Sequence, residues 1–189
     1  YNFKRKNHVK QLKPDFWQPL YLTCDFNKNP MVWEVAQKTE TGLDFITEIS
    51  MPYNAKTTAT AQKFIDRFSH HVNKIVYLTG DPANNHESHR DHSTDYVLIK
   101  EALVKAGWKV IYKMLLGAPN INNRVNITCS LLAHGRLNID ESCTFLIGDY
   151  EECEGDGKGG KDKSDSQRTH GSDAADYLVW YLFVSEFYN

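Results

Sequence analysis

Short apolar runs separated by turn residues dominate the first part of the sequence. Residues 20–26, 31–36 and 43–49 are apolar or alternate between apolar and polar, with Pro30 and Gly42 lying between them. Runs of this length, bounded by turn residues, are typical of β-strands. We therefore predict an antiparallel meander of three strands within about the first fifty residues.

The remaining predicted elements alternate between helix and strand. Apolar residues at helical spacing, preceded by capping residues, predict the helices, and short apolar runs predict the strands. The first two predicted helices begin at Thr57 or Thr58 and at Thr94 or Asp95. Three further helices are predicted at residues 120–134, 143–152 and 172–187. The predicted strands are residues 74–79, 108–112 and 137–139. This order predicts an α/β fold in which helices cover both faces of a mixed sheet.

Two segments lack such periodicity. Residues 1–19 are polar and basic and contain Pro14 and Pro19, so we predict a linker or an edge segment. Residues 153–171 are rich in Gly, Lys, Asp and Ser, which is typical of a loop. Residues 20–189 are long enough for one domain with a sizeable core.

Composition narrows the classes of function. The net charge is −2, so any contact with nucleic acid requires a local basic patch rather than overall charge. The four cysteines show no metal-binding spacing and are predicted to be reduced thiols, mostly in the core. No apolar stretch approaches the ~20 residues of a membrane span, and no signal peptide is recognisable. The abrupt basic start indicates a piece of a longer protein.

Three acidic residues form the candidate site. Asp25 and Asp81 each follow an apolar strand and precede a turn, so neighbouring strands would place them at one sheet edge. Asp173 opens the last helix, and Asp176, three residues further along, lies near the same face and is its rival. Clustered carboxylates require raised pKa values or a divalent cation, and oxygen ligands suit Mg²⁺ or Mn²⁺. Taken singly, each acid also fits a turn or a helix cap.

Several short motifs, taken in order, resemble the C-terminal nuclease domain of tailed-bacteriophage terminase large subunits. The resemblance runs from about residue 20 to the end of the chain, and its order and spacing carry more weight than any single motif. The motifs are Leu-Thr-Cys-Asp-Phe-Asn at 22–27, Tyr-Leu-Thr-Gly-Asp-Pro-Ala-Asn at 77–84, Arg90 with Thr-Asp-Tyr at 94–96, Asn-Arg-Val at 123–125, Gly-Arg-Leu-Asn-Ile at 135–139 and Thr-His-Gly-Ser-Asp-Ala-Ala-Asp-Tyr at 169–177.

The resemblance implies a ribonuclease H-like fold and a metal-dependent endonuclease that cuts concatemeric double-stranded phage DNA during packaging. Its acids fall on Asp25, Asp81 and Asp173, with Asp176 as the alternative third ligand. It implies two Mg²⁺ or Mn²⁺ ions, with Asp25 as the best candidate to bridge them. Two ions about 3.5–4 Å apart hold a scissile phosphate, activate a water and stabilise the leaving oxygen.

The family's other half is an ATPase with a phosphate-binding G-x-x-x-x-G-K-[ST] loop, which is not present in this sequence. We therefore expect the ATPase domain to be absent from this piece. The implied partners are double-stranded DNA, a portal protein and a small terminase subunit, without a membrane, in the host cytoplasm. The alternatives are a Holliday-junction resolvase or transposase-like nuclease, and an inactive ribonuclease H-like module that binds packaging proteins.

Basic residues around the acids are the predicted DNA contacts. They are Arg90, Arg124, Lys158, Lys161, Lys163 and Arg168. The basic segment before Asp173 would guide a duplex to the metal site, although its composition also fits a solvated linker. Arg124 fits either a bidentate phosphate contact or a surface salt bridge. His86, His89 and His92 favour a solvated or phosphate-contacting loop over a zinc site, and Glu48 is predicted to face solvent.

Overall fold

The structure is a computed structural model that describes residues 1–85, 94–155, 157, 161–162, 164–165 and 168–188. Its described core is one seven-stranded sheet. The strands are β1 (Val9–Lys10), β2 (Leu20–Asp25), β3 (Met31–Lys38), β4 (Leu43–Met51), β5 (Ile75–Gly80), β6 (Lys109–Tyr112) and β7 (Leu137–Asp140). Their order across the sheet is β1-β7-β4-β3-β2-β5-β6.

The first three long strands form the predicted meander. β2 pairs antiparallel with β3, and β3 pairs antiparallel with β4. The other pairings are parallel: β5 lies beside β2, β6 beside β5, β7 beside β4 and β1 beside β7. The sheet is therefore mixed, and β2 lies between an antiparallel and a parallel neighbour.

Five of the six described helices agree closely with the periodicity of the sequence. The six are α1 (Arg5–His8), α2 (Thr57–Arg67), α3 (Asp95–Lys105), α4 (Ile121–Ala133), α5 (Thr144–Glu152) and α6 (His170–Phe187). The exception is α1, which lies in the segment predicted to be a linker or an edge segment. A short 3₁₀ turn, Pro82–Asn85, follows β5. The Thr94 side chain accepts a hydrogen bond from the Val97 amide and so caps α3, which the sequence allowed.

Two apolar clusters show that helices cover both faces of the sheet. One cluster joins β2 to α2 and α3 through residues such as Leu22, Phe64 and Ile99. The other joins β3 and β4 to α4, α5 and α6 through residues such as Phe45 and Leu178. The predicted α/β class and its layers are confirmed. Among the described helices, none has the length and apolar character needed to cross a membrane.

The start of the chain is attached to the sheet. β1 pairs with β7 at the sheet edge, and the Tyr1 hydroxyl donates a 2.7 Å hydrogen bond to Asp176 Oδ2. The His8 ring lies 2.9 Å from the Leu132 carbonyl oxygen through Nε2. Residues 1–10 therefore cover part of the face that carries α6, where the sequence offered either a linker or an edge segment.

Candidate active site

Asp25 and Asp81 leave the sheet side by side. The parallel register aligns Cys24 of β2 with Gly80 of β5, so the next residue of each strand is the acid. The Asp81 amide donates to the Cys24 carbonyl oxygen at 3.3 Å, which fixes the two strand ends against each other. The predicted alignment of these ends is confirmed.

Gly80 makes this close approach possible. Its φ is +140°, and a Cβ at this position would lie 2.4 Å from the Cys24 carbonyl oxygen and 2.7 Å from the Tyr96 hydroxyl. An L side chain rarely adopts such a backbone conformation and would also collide with β2. The Thr-Gly-Asp sequence thus places Asp81 at this point because its middle residue has no side chain.

The Asp25 carboxylate is largely buried and oriented by two neighbours. Asn27 Nδ2 donates to Asp25 Oδ2 at 2.9 Å, and His170 Nδ1 lies 2.9 Å from the same oxygen. His170 belongs to the first turn of α6, so this contact joins the last helix to the end of β2. The acid is 9% exposed and held in one orientation.

Asp81 contacts the turn that follows it and residues of α3 and α6. Its Oδ1 accepts the Ala83 amide at 2.9 Å, and its backbone carbonyl accepts the Tyr96 hydroxyl at 3.0 Å; the Tyr177 side chain of α6 lies near enough for the two to interact electrostatically. Burial raises the pKa of Tyr177 to about 12; the Arg124 charge opposes this rise, and Asp81 and Asp173 add to it. Tyr177 therefore lies close to two of the candidate acids.

The start of α6 is fixed to the sheet and to α5. Thr23 Oγ1 donates to the Ala174 carbonyl oxygen at 2.6 Å. Asp149 of α5 caps α6, since its carboxylate accepts the amides of Thr169 at 3.0 Å and Ser172 at 2.9 Å. These contacts hold the helix start against β2 and so define the position of Asp173.

Asp173 and Asp176 share one buried cation, Lys161. Its Nζ lies 2.8 Å from Asp173 Oδ1, 2.8 Å from Asp176 Oδ2 and 3.0 Å from Ser172 Oγ. Burial alone would lower the pKa of Lys161, but Asp176 and Asp173 outweigh it, and the net shift is upward. Lys161 was predicted to contact DNA from a surface loop; the structure places its side chain in the interior, 3% exposed.

The two rival acids differ in their surroundings. Asp176 is fully buried, and its oxygens also accept hydrogen bonds from Thr128 Oγ1 and the Tyr1 hydroxyl, each at 2.7 Å. Asp173 retains 12% side-chain exposure. Asp176 therefore behaves as an internal structural acid, whereas part of the Asp173 side chain remains accessible to solvent.

Carboxylate donors suit a hard divalent cation, although the described acids do not form a complete set of ligands around one point. Across the described residues, no three His, Cys, Asp or Glu side chains are grouped as ligands of one metal ion. Asp25 and Asp81 supply paired carboxylates at one edge, and Asp173 already holds a positive charge, the Lys161 ammonium. Carboxylate oxygens are the ligands that Mg²⁺ and Mn²⁺ prefer.

The other predicted DNA contacts fall into three groups. Arg124 is buried, and its guanidinium lies 3.9 Å above the centroid of the Tyr177 ring. Arg168 is half-buried and forms ion pairs with Glu152 and, at 3.8 Å, with Asp165. The remaining positions lie outside the described residues, namely Arg90, Lys158 and Lys163, together with His86, His89 and His92.

Arg124 is not the surface salt bridge that the sequence also allowed. Only 3% of the residue is exposed, and its Nε and Nη1 have no hydrogen-bond partner among the described residues. A buried guanidinium with unpaired N–H groups costs free energy unless a further acceptor is supplied. Arg124 and Asp81 both interact electrostatically with Tyr177, so the buried guanidinium lies in the neighbourhood of the candidate site.

Glu48 and Glu34 differ from the expectation for charged strand residues. Glu48 was predicted to face solvent, and this is wrong: its Oε2 accepts the amides of Phe145 at 2.9 Å and Leu146 at 3.3 Å, so it caps α5. Glu34 of β3 is fully buried, and neither of its carboxyl oxygens has a partner among the described residues. A charged residue inside the apolar run Val-Trp-Glu-Val-Ala is the signal that could have singled it out.

Replacement of Glu34 by Gln should stabilise the protein more at high pH than at low pH. Burial, with Glu48 and Asp149 nearby, raises the pKa of Glu34 well above its ordinary value. Its stabilising contribution is therefore complete below the pKa of an unfolded glutamate and is lost as pH rises through the folded pKa. Gln cannot ionise and removes that loss.

Urea unfolding midpoints at pH 5 and pH 8 measure this difference. Glu186→Gln is the control, because a hydrogen bond from Arg136 lowers the pKa of Glu186 and its substitution should therefore not stabilise the protein at high pH. An equal effect of Glu34→Gln at both pH values would contradict the assignment of Glu34 as a neutral buried acid.

The fold is thus a mixed seven-stranded α/β sheet in which two neighbouring parallel strands each end just before or at an acid. No protein-family model matches the sequence, and no curated protein matches it either. The structure is, however, similar to solved viral terminases, which confirms the resemblance found in the sequence at the level of the fold.

Three of these neighbours show the extent of the likeness. The large terminase of a thermophilic bacteriophage is 15% identical at a TM-score of 0.68, over 96% of this chain and 44% of that one. The P22 large terminase nuclease domain is 13% identical at 0.65, over 97% and 90%. A manganese-soaked terminase nuclease domain from human cytomegalovirus is 10% identical at 0.61, over 88% and 82%. The chain thus spans less than half of the thermophilic phage protein and nearly all of the P22 domain.

Proposed function

We propose that this chain is the metal-dependent endonuclease domain of a viral DNA-packaging terminase. The observation that carries the proposal is the parallel register of β2 and β5, which brings Asp25 and Asp81 together at the strand ends. The start of α6 adjoins the same point through the contact between His170 and Asp25. These two observations support a site at this edge of the sheet to which Asp173, in the first turn of α6, would contribute the third acid.

Asp25, Asp81 and Asp173 are the proposed ligands of Mg²⁺ or Mn²⁺, in a site for two ions. The manganese-soaked cytomegalovirus domain is consistent with this choice of ion. Asp173 is preferred to Asp176 because Asp176 is fully buried and already bonded to Thr128 and Tyr1. Divalent ions supply an activated water and stabilise the charge that develops on the phosphate.

The protein's own side chains prepare these ligands. Asn27 and His170 hold the Asp25 carboxylate, and the Ala83 amide holds that of Asp81. Oriented carboxylates lose little conformational freedom when they bind a cation, which favours a well-defined position for the reacting phosphate.

Arg124 is the proposed phosphate contact nearest the acids. Its two unpaired nitrogens, Nε and Nη1, are buried in the DNA-free chain and would donate to phosphate oxygens that reach them; the Tyr177 ring lies against the guanidinium. Arg168 is a further proposed contact to DNA, and the sequence predicts the same role for Arg90, Lys158 and Lys163. The proposed substrate is double-stranded DNA, a polyanion that positive side chains beside the metal site would attract although the overall charge is −2.

The wider setting is also a proposal. The thermophilic phage terminase is more than twice as long as this chain, which fits a full-length protein that carries a separate ATPase domain. In that setting the partners would be a portal protein and a small terminase subunit in the host cytoplasm. The resolvase or transposase-like alternative keeps the same site and differs in its DNA substrate.

One observation favours a different class, an inactive module that binds packaging proteins. The Lys161 ammonium already neutralises Asp173, and the described residues contain no three-ligand metal group. A module of this kind would need no divalent ion to fold or to bind its partner.

Cleavage of supercoiled plasmid separates the two functions. We expect purified protein to nick and linearise plasmid with Mn²⁺ or Mg²⁺ and to be inactive with EDTA. The products should carry 5′ phosphates, which ligase joins without prior kinase treatment. Failure to cut with either ion, by protein that is folded and binds DNA, would favour the inactive module. A strong preference for a four-way junction over linear duplex would favour the resolvase alternative.

A further inference from the structure

Lys161 is a completely satisfied buried ammonium. Its three N–H donors meet three acceptors, namely Asp173 Oδ1, Asp176 Oδ2 and Ser172 Oγ, at 2.8–3.0 Å. The backbone around it is also fixed, since Lys161 forms an antiparallel bridge with Gly155 and the Asp162 amide donates to the Glu154 carbonyl oxygen at 2.9 Å. Both the ammonium and the backbone of Lys161 are therefore held in place by contacts with described residues.

The charge balance around α6 depends on this one side chain. Asp173 and Asp176 share its cation. Burial raises the pKa of Asp149, and the nearby Lys161 charge opposes that rise. Two buried carboxylates without a cation repel each other and are costly to keep charged. Loss of the ammonium would leave a position that another cation could fill.

The Lys161 ammonium already occupies one side of the Asp173 carboxylate. A divalent ion on Asp173 would have to share that carboxylate with it. Asp173 Oδ1 lies 2.8 Å from Nζ, so a divalent ion bound to this carboxylate would lie close to the ammonium, and two positive charges at short range repel. Within the described part of the chain, Asp25 and Asp81 are held by amide and imidazole groups rather than by a lysine. In the DNA-free chain, Asp173 therefore already has an ammonium group beside it, whereas among the described residues Asp25 and Asp81 do not.

We propose that Lys161 is a tethered cation that takes the place of the second divalent ion beside Asp173, so that the DNA-free chain binds one divalent ion, at Asp25 and Asp81. This inference rests on the proposed nuclease function and adds that the second ion must displace Lys161. It assigns Lys161 to regulation of metal loading rather than to contact with DNA.

Counting bound Mn²⁺ on the DNA-free chain, by calorimetry and by the electron paramagnetic resonance of free Mn²⁺, tests the proposal. Wild-type protein and Lys161→Arg should bind one ion per chain, because both retain a cation. Lys161→Gln should bind a second ion at least about 10-fold more tightly than wild type does. Lys105→Gln, at an exposed lysine of α3, is the control and should match wild type.

Thermal unfolding covers the case in which Lys161→Gln is poorly folded without metal. Mn²⁺ should then raise the melting temperature of Lys161→Gln far more than that of wild type, because the ion replaces the missing charge. In the double variant Lys161→Gln with Asp173→Asn, this rescue should disappear.

Three results would overturn the inference: two equivalent Mn²⁺ ions on wild-type protein, no second ion on Lys161→Gln, or no Mn²⁺ on either protein. The nuclease proposal is judged separately by plasmid cleavage. Cleavage by a wild-type chain that binds two ions without DNA would leave the nuclease function standing and remove the role of Lys161.

Discussion

Asp25→Asn should lower metal-dependent plasmid cleavage by at least about 10³-fold, which corresponds to ~4 kcal/mol of lost transition-state stabilisation. Asp25 is the acid at the end of β2, and its carboxylate is oriented by Asn27 and His170. Asn preserves the shape of the side chain and one hydrogen-bond acceptor, so the change removes chiefly the negative charge that a divalent cation requires.

Single-turnover cleavage rates with saturating Mn²⁺ measure this loss. Asp66→Asn, at an exposed acid of α2 whose partner is Gln62, is the control and should cleave like wild type. Circular dichroism and the melting temperature show whether the variant is folded. Cleavage within about tenfold of wild type by folded Asp25→Asn would remove Asp25 from the catalytic centre.

The sequence predicts the parts of the site that depend on local pattern. The apolar runs before Asp25 and Asp81 define two strands, and the turn residues after them define where each strand ends. Since parallel neighbours expose equivalent ends at one edge, the proximity of the two acids followed from strand adjacency alone. The start of α6 was also readable, from the change between a polar segment and an apolar helix.

The features of the site that depend on tertiary contacts could not be predicted from the sequence. Lys161 lies in a segment whose Gly, Lys and Asp content is that of a solvated loop, yet its ammonium is buried by α6. Its partner Asp176 also receives the Tyr1 hydroxyl, from a residue 175 positions away. Composition reports average solvation and cannot identify the one lysine for which two buried carboxylates offset desolvation.

Tyr177 shows the same limit in an aromatic residue. Its spacing with Trp180, Tyr181 and Phe183 predicts a packing stripe, and Phe183 is indeed buried in the apolar cluster of α6. Tyr177 is buried as well, but its ring face lies against the Arg124 guanidinium rather than in that apolar cluster. Periodicity places a residue on a helix face, but the neighbouring strands and helices decide what that face contacts.

Gly80→Ala should cost about 3 kcal/mol or more of unfolding free energy and should abolish tight Mn²⁺ binding. A new Cβ would meet the Cys24 backbone oxygen at 2.4 Å and nitrogen at 2.8 Å, at a φ of +140° that alanine rarely adopts. The contacted atoms belong to β2, so relief of the clash must separate the two strand ends. That separation moves Asp81 away from Asp25, and the stability and the metal site fail together.

Gly107→Ala is the matched control for backbone strain alone. Its φ is +86°, and a Cβ there would meet no atom within 4 Å, so the expected cost is only about 1 kcal/mol. Urea unfolding and Mn²⁺ titration on both variants separate the effect of strain from that of collision. Equal destabilisation by the two substitutions, with Mn²⁺ affinity retained in Gly80→Ala, would show that the close contact between β2 and β5 does not position the acids. A larger loss at Gly80, coupled to loss of Mn²⁺ binding, would link the strand register directly to the proposed chemistry.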